Sequence, residues 1–238
     1  MGNLQREVES FINQQNADIL CLQEVFSSTT DKNFLKNVNF NSLESILENT
    51  DYAYLYFEPA FSFSSMGESI EYGNAILSRL PILERRVVFT SGQYTKLSNW
   101  EEYSRNNRNA VMVKVLIDKK HVWIVSHHGF HELEPLGSED TVRSMSKLSS
   151  SLKKIQEPLI LAGDLNVIDQ SPAMRVFDNW LRDLTAEFKI TDTLSQFGKV
   201  RNVPCDHILV SSGINVNAFE VSEEIVSDHA ALILDFEL

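Results

Sequence analysis

The strongest constraint on the fold is a series of short apolar runs separated by polar segments. The clearest runs lie at residues 18–22, 73–78, 109–117, 121–127, 159–163, 206–210 and 230–236. Runs of this length, bounded by turn residues, predict buried β-strands. Amphipathic helix patterns occupy residues 4–12 and 142–155, and the polar stretch 62–69 predicts a loop. Because strands outnumber helices, the pattern favours an α/β protein with two sheets, or one large mixed sheet, over a doubly wound fold.

Length and composition narrow the class of protein. The 238 residues are enough for one domain with a substantial core, and 43% hydrophobic with 23% charged residues is typical of a globular protein. No apolar run approaches the roughly 20 residues that cross a bilayer, and no secretory signal is evident. Cys21 and Cys205 are too few for a disulfide scaffold. We expect a cytoplasmic monomer without membrane attachment, with a lost N-terminal signal as the alternative.

The net charge restricts the partners. The chain carries 33 acidic and 21 basic residues, which gives a formal net charge of −12. Such a surface repels polyanions and argues against tight nonspecific binding to nucleic acid. It is compatible with a small phosphorylated substrate that a metal ion draws in.

Polar clusters lie at the ends of four of the apolar runs. They are Gln23-Glu24, Ser126-His127-His128, Gly163-Asp164-Leu165-Asn166 and Ser227-Asp228-His229. One charged group at a strand end is usually a cap or a surface ion pair, whereas four such clusters point to a shared site. Carboxylate and amide oxygens suit a hard ion such as Mg²⁺. Asp164 and Asn166 are two residues apart, so at a strand end they project to the same side, where they can hold a water and stabilise developing negative charge.

Five segments together resemble a known family. They are LQEV (22–25), YGNAILSRLPI (72–82), GDLN (163–166), CDHILVS (205–211) and SDHAAL (227–232). In this order they are similar to the endonuclease/exonuclease/phosphatase superfamily of Mg²⁺-dependent phosphoesterases. The resemblance implies a single domain over residues 1–238 with a four-layer α/β sandwich, in which two mixed sheets face each other with helices outside. It also implies a metal-dependent phosphodiesterase or phosphatase, with a nuclease or a catalytically impaired binding module as alternatives.

The resemblance implies a metal centre and a group that handles the nucleophile. Glu24 matches the metal-binding glutamate of the family, and Asp228 lies near the metal. Asp164 matches the aspartate that activates the nucleophile or protonates the leaving group, and Asn166 matches the asparagine that contacts the scissile phosphate. The implied ion is Mg²⁺, with Mn²⁺ as the alternative, and the implied substrate is a phosphorylated small molecule or a nucleic-acid phosphodiester.

Two histidines complete the implied site. His229 matches the histidine of the family's terminal motif, which acts as a base or a phosphate contact, and Asp206 matches the aspartate that orients it. A further histidine follows the middle strand, and His128 fits it better than His127 because Gly129 comes next. The other member of the pair is then a packed strand residue.

Two positions are candidates for binding the substrate. Asn74 lies where family members place a polar residue near the substrate groove, although it could equally cap its strand. Arg143 lies on the second helix pattern, where it either reaches a phosphate or pairs with a nearby acid.

The sequence departs from the family pattern at its start. Family members begin with a strand that carries a metal-binding asparagine, whereas this sequence begins at the helix that follows that strand. Asn3 lies at the helix start and is a poor substitute. The resemblance therefore predicts a domain that is truncated at the N-terminus relative to the family, lacks the first strand and lacks one metal ligand.

Overall fold

The structure, a computed structural model, describes residues 4–28, 39–65, 68–98, 106–198 and 202–238. The strands are β1 (Ile19–Ser28), β2 (Tyr54–Ser65), β3 (Glu68–Ser78), β4 (Glu84–Ser91), β5 (Thr95–Leu97), β6 (Arg108–Ile117), β7 (Lys120–His127), β8 (Leu159–Asp164), β9 (Leu181–Asp183), β10 (Asp206–Ser211), β11 (Asn215–Val221) and β12 (Leu232–Glu237). The α-helices are α1 (Gln5–Gln15), α2 (Ser42–Asn49), α3 (Glu139–Leu152) and α4 (Leu184–Glu187), with a 3₁₀ turn at Met174–Phe177. These elements confirm the predicted strand-rich α/β pattern.

One sheet has four strands in the order β1-β3-β2-β5. Its centre is a long hairpin in which β2 and β3 pair antiparallel, with Ser62 opposite Glu71 and Phe63 opposite Ile70. The prediction of a loop at 62–69 is therefore wrong for the described residues of that stretch, which lie in β2 and β3. The serines there alternate with apolar residues that pair across the hairpin.

The other sheet has six strands in the order β4-β6-β7-β8-β10-β9. β7 and β8 are parallel, and the other neighbours are antiparallel. Alternation along β6 explains how this sheet is covered on both faces. Val111 and Val113 face the four-stranded sheet, while Met112 packs beneath α3 with Met145 and Leu148.

The two sheets face each other across an apolar core, and the helices lie outside. The shared core combines Ile76 of β3 with strand residues of the six-stranded sheet such as Val113 and Ile124. On the outer face of the four-stranded sheet, Ile12 of α1 and Leu43 of α2 pack against Leu77. This arrangement confirms the predicted four-layer α/β sandwich.

A two-stranded unit, β11-β12, completes the described chain, in which α1 is the first element. Within the described residues, β1 pairs only with β3, and β12 pairs only with β11. Both strands nevertheless contribute partly buried side chains to the core between the sheets, including Cys21 and Leu234. Among the helices that the structure describes, none has the length and hydropathy needed to cross a membrane.

Candidate active site

A bulge in β1 presents Glu24 at one edge of the sandwich. The register with β3 shifts between Leu22 and Val25, and Glu24 adopts a positive φ of 58°. Gln23 donates from Nε2 to Ser126 Oγ at 2.8 Å, which ties the bulge to β7. The Glu24 side chain is 55% exposed, and its Oε1 lies 3.7 Å from His128 Nε2. The bulge therefore directs this carboxylate towards the histidine that follows β7.

The close approach of β7 to the end of β8 explains the glycine of the GDLN segment. Gly163 has φ +149°, and a Cβ built there would lie 2.0 Å from the carbonyl oxygen of His127. Any larger residue would push β8 away from β7. After the turn, the Asn166 backbone N–H donates to Asp164 Oδ1 at 2.8 Å, with Asn166 at φ +58°. The Asp164 side chain therefore closes the turn that carries Asn166.

Asp164 lies between two imidazoles. Its Oδ2 is 3.7 Å from His128 Nε2 and 3.9 Å from His229 Nε2. Burial, followed by the negative charge of Asp206, raises the pKa of Asp164 to about 7. A carboxyl group in this position can both accept and release a proton near neutral pH.

Asp206 orients and charges His229. The Nδ1 of His229 donates to Asp206 Oδ2 at 2.9 Å, and Thr193 Oγ1 donates to the same oxygen at 2.6 Å. Burial favours the neutral imidazole, but the hydrogen bond to Asp206, with further help from Cys205 and the two aspartates, raises the pKa of His229 to about 12. His229 is therefore a fixed cation beside Asp164.

The segment that carries Asp228 and His229 is held by the loop containing Thr193 and Ser195. The Ser195 N–H donates to the Asp228 carbonyl at 2.8 Å, and its hydroxyl donates to the Ser227 carbonyl at 2.6 Å. The Asp228 side chain is exposed and accepts from Ser227 Oγ at 3.1 Å. Sequence reasoning missed Thr193 and Ser195 because they lie in a polar connection without a strand or helix pattern.

The two adjacent histidines contact different groups. His127 is fully buried and donates from Nδ1 to the Asn109 carbonyl at 2.9 Å. Burial lowers the pKa of His127 to about 4, so this imidazole is neutral. His128 instead places Nε2 beside Glu24 and Asp164. Burial and the charge of Arg108 hold the pKa of His128 well below its usual range.

The structure does not bring the two predicted substrate-binding residues to this cluster. Asn74 is buried and donates to the carbonyl and side-chain oxygens of Asn109 at 2.9 and 2.8 Å, so it links the two sheets. Arg143 is exposed on α3 and pairs with Asp140 one helical turn earlier. The strand alternation turns Asn74 inward, and the apolar stripe of α3 turns Arg143 outward.

A third histidine, His131, also belongs to the cluster. Its Nδ1 lies 3.0 Å from Asn166 Oδ1, and its backbone exchanges two hydrogen bonds of 3.0 Å with the side chain of Asn106. The segment SHHGFH (126–131) contains this histidine, but only the adjacent pair directly follows an apolar strand pattern. Because an amide oxygen can only accept, His131 donates and fixes the orientation of Asn166.

His207 supports the site from behind. Its Nδ1 lies 2.9 Å from Asp183 Oδ2, and its Nε2 donates to the Val167 carbonyl at 2.8 Å. Burial opposes the charged form, but the hydrogen bond to Asp183 raises the pKa of His207. The buried imidazole therefore anchors the chain directly after the GDLN turn to β10.

Most of the chain matches a known protein family. The model of the Endonuclease/Exonuclease/phosphatase family matches residues 3–229. The sequence has no significant match among curated proteins.

Solved structures share the fold at low sequence identity. A Beutenbergia cavernae endonuclease/exonuclease/phosphatase is 18% identical with a TM-score of 0.73, and the match covers 98% of this chain and 66% of that chain. A mannosyl-6-phosphatase from Bacteroides thetaiotaomicron is 15% identical with a TM-score of 0.72 and coverage of 98% and 90%. A humanized D. rerio TDP2 is 14% identical with a TM-score of 0.70 and coverage of 99% and 91%.

Proposed function

Because the chain belongs to the endonuclease/exonuclease/phosphatase family, we propose that it hydrolyses phosphate esters with the help of a divalent metal ion. The observation that carries this proposal is Asp164, a carboxyl group near the end of β8 between the imidazoles of His128 and His229. This arrangement combines a group that can take up a proton with a fixed cation that can stabilise a phosphoryl group.

The donor set at this edge of the sandwich fits a hard cation. Glu24 and Asp228 both offer exposed carboxylates, and carboxylate oxygens are the protein ligands that Mg²⁺ prefers. These two residues would hold Mg²⁺, with Mn²⁺ as the alternative. When bound, such an ion polarises the phosphoryl oxygens and offsets their negative charge.

The residues of the chain supply the proton transfer and the charge stabilisation. With a pKa of about 7, Asp164 accepts a proton from the attacking water or returns one to the leaving group. His229 is held cationic by Asp206 and stabilises the negative charge that builds up on the phosphate. Neutral His128 and the Asn166 amide add hydrogen-bond donors, and His131 together with the Asp164 turn fixes Asn166.

The acidic composition favours a small substrate over a polymer. The net charge of −12 repels the backbone of nucleic acid beyond the bound phosphate. A phosphorylated small molecule places only one or two charges in the site. The mannosyl-6-phosphatase among the structural neighbours acts on a molecule of this kind, and this supports the same substrate class here.

The test is metal-dependent hydrolysis of bis-p-nitrophenyl phosphate and p-nitrophenyl phosphate, which separates diesterase from monoesterase activity. We expect turnover with Mg²⁺, none with EDTA, and loss of turnover in Asp164→Asn. Glu84→Gln serves as the control because it removes an exposed carboxylate on β4, where Glu84 pairs with Lys114 and Arg86. Turnover that survives EDTA, or an Asp164→Asn rate within about tenfold of the wild type, would contradict the proposal.

A further inference from the structure

Cys205 adds a thiol to the site cluster that neither moves a proton nor contacts the phosphate in the proposed hydrolysis, and its Sγ lies 3.6 Å from Asp206 Oδ2. Asp164, Cys205 and His229 each offer one ligand atom, and these atoms all lie within 4.8 Å of one another. Cys205 directly precedes Asp206 at the start of β10, and Leu165 N–H donates to its carbonyl at 2.9 Å. The buried thiol is therefore held by the backbone beside the two groups that the hydrolytic reaction uses.

The distances suit a four-coordinate transition metal. Zinc binds nitrogen, oxygen and sulfur at about 2.0 to 2.3 Å, so neighbouring ligand atoms of a tetrahedral site lie about 3.3 to 3.8 Å apart. Asp164 Oδ2 and His229 Nε2 are already 3.9 Å apart. Side-chain shifts of less than about 1 Å would bring all three atoms to bonding distance.

A second carboxylate orients the histidine in the way that metal sites require. His229 gives its Nδ1 hydrogen to Asp206 at 2.9 Å, which leaves Nε2 directed at Asp164. A histidine that binds a metal through one nitrogen usually donates its other N–H to a carboxylate or carbonyl. Thr193 in turn donates to Asp206 at 2.6 Å, so this support is itself fixed.

The mixed donor set selects a different ion from the one assigned to Glu24 and Asp228. Mg²⁺ takes oxygen ligands and retains several waters, whereas a thiolate with an imidazole favours zinc and similar ions. We propose that Asp164, Cys205 and His229 form a zinc-type site that overlaps the catalytic groups, and that metal binding there releases the Nε2 proton of His229 and the Sγ proton of Cys205 to solvent. Zinc bound there occupies Asp164 and His229 together and so blocks hydrolysis. The binding stands without the proposed function, whereas the inhibition rests on it.

The binding is tested by titrating the full chain with Co²⁺ as a spectroscopic substitute for zinc. We expect one equivalent of Co²⁺ to produce a sulfur-to-cobalt charge-transfer band, which Zn²⁺ removes and excess Mg²⁺ does not. Cys205→Ser should lose the band, and the matched variant Cys21→Ser should keep it, because Cys21 packs into the core between the sheets. A band that persists in Cys205→Ser, or no band in the wild type, would overturn the proposal.

A further variant removes the support without removing a ligand. Asp206→Asn should retain the charge-transfer band but weaken Zn²⁺ binding by about 10- to 100-fold, the usual effect of losing a carboxylate behind a metal-bound histidine. Melting curves without metal establish that each variant is folded. Unchanged zinc affinity in folded Asp206→Asn would show that His229 is not a ligand.

The inhibition is measured separately on p-nitrophenyl substrates with saturating Mg²⁺. We expect Zn²⁺ to abolish turnover at the concentration that displaces Co²⁺. If the protein shows the cobalt band but no turnover, the proposed metal site is supported and the proposed hydrolase function is refuted. Full turnover with zinc bound would refute the blocking role.

Discussion

The two halves of the sandwich hold their share of the site in different ways. The six-stranded sheet supplies Asp164 and Asp206 from strands β8 and β10, each paired on both edges. The four-stranded sheet supplies Glu24 from β1, which is paired on one edge among the described residues. Asp228 and His229 come from the segment before β12, which is bonded to Ser195 and Asp206. The carboxyl groups proposed to move or orient a proton therefore lie on a continuous, buried sheet, whereas the proposed metal ligands Glu24 and Asp228 are exposed carboxylates outside that sheet.

We infer from this difference that proton transfer and metal binding can be impaired separately by mutation. Asp164 and Asp206 are surrounded by fixed hydrogen bonds, including those from Asn166 and Thr193. Such support is what preorganised catalytic groups require. Exposed oxygen ligands, in contrast, suit an ion that keeps part of its water shell.

The largest expected effects come from Asp164 and from His229, which Asp206 orients. Asp164→Asn and His229→Ala should each lower kcat/KM by about 10²-fold or more, because each removes a group that moves a proton or stabilises charge. Steady-state kinetics at saturating Mg²⁺ measures this, with melting curves as the folding control. A loss of less than about tenfold in either variant would remove that residue from the proposed chemistry.

The adjacent histidines allow a matched comparison. His128→Ala should lower activity far more than His127→Ala, since only His128 faces Glu24 and Asp164. The stability changes should run the other way, because His127 is fully buried and bonded to the Asn109 carbonyl. Equal losses of activity would show that the two imidazoles are wrongly assigned.

His127 should also make stability depend on pH. Burial lowers its pKa from 6.5 to about 4 in the folded state, so the unfolded chain binds the extra proton between these values. The free energy of unfolding therefore has its full contribution from neutral His127 above pH 6.5. As the pH falls towards 4, this contribution decreases by about 2–3 kcal/mol. Urea unfolding at pH 7 and pH 4.5 should therefore show a smaller loss in His127→Gln than in the wild type. An identical loss in both proteins would refute this origin.

The open side should differ in local stability. Backbone amides of β1 and β12 should exchange hydrogen faster than those of β7 and β8. Among the described residues, β1 and β12 each pair with a single neighbouring strand, so they can open without breaking the central sheet. Hydrogen exchange followed by mass spectrometry resolves these segments. Equal protection in the two halves would mean that the edges of β1 and β12 are as stable as the central strands.

Arg143→Ala sets the lower limit of the series. The Arg143 side chain is exposed and paired with Asp140, so its removal should leave kcat and KM unchanged. A marked rise in KM would instead return Arg143 to the substrate-binding role that the sequence suggested.

The sequence predicted much of the fold because its strands are apolar and its strand ends are polar. Gly163 to Asn166 could be located because the chemistry and the strand end coincide within four residues. Asn74 and Arg143 could not be placed, because their roles depend on which face of an element meets another layer. Asn74 shares its strand face with Ile76 and so points between the sheets.

The remaining site residues depend on contacts between distant segments. Thr193 reaches Asp206 only because a polar loop returns to β10, and no local pattern marks it. His131 lies in a loop beyond the histidine pair, and its contact with Asn166 spans 35 residues. Cys205 has the appearance of an ordinary buried thiol until β8 and the segment before β12 bring Asp164 and His229 beside it.

The most direct test of the division between the two halves is a Mg²⁺ titration of phosphodiester hydrolysis in Glu24→Gln and Asp164→Asn. Glu24→Gln should abolish turnover at Mg²⁺ concentrations that saturate the wild type and require a much higher concentration for any recovery, because a ligand charge is lost. In Asp164→Asn, the residual hydrolysis should be half-saturated at the same Mg²⁺ concentration as in the wild type. Its maximal rate at saturating Mg²⁺ should be about 10²-fold lower. Unchanged Mg²⁺ dependence in Glu24→Gln, or a shifted half-saturation with a normal ceiling in Asp164→Asn, would contradict the account.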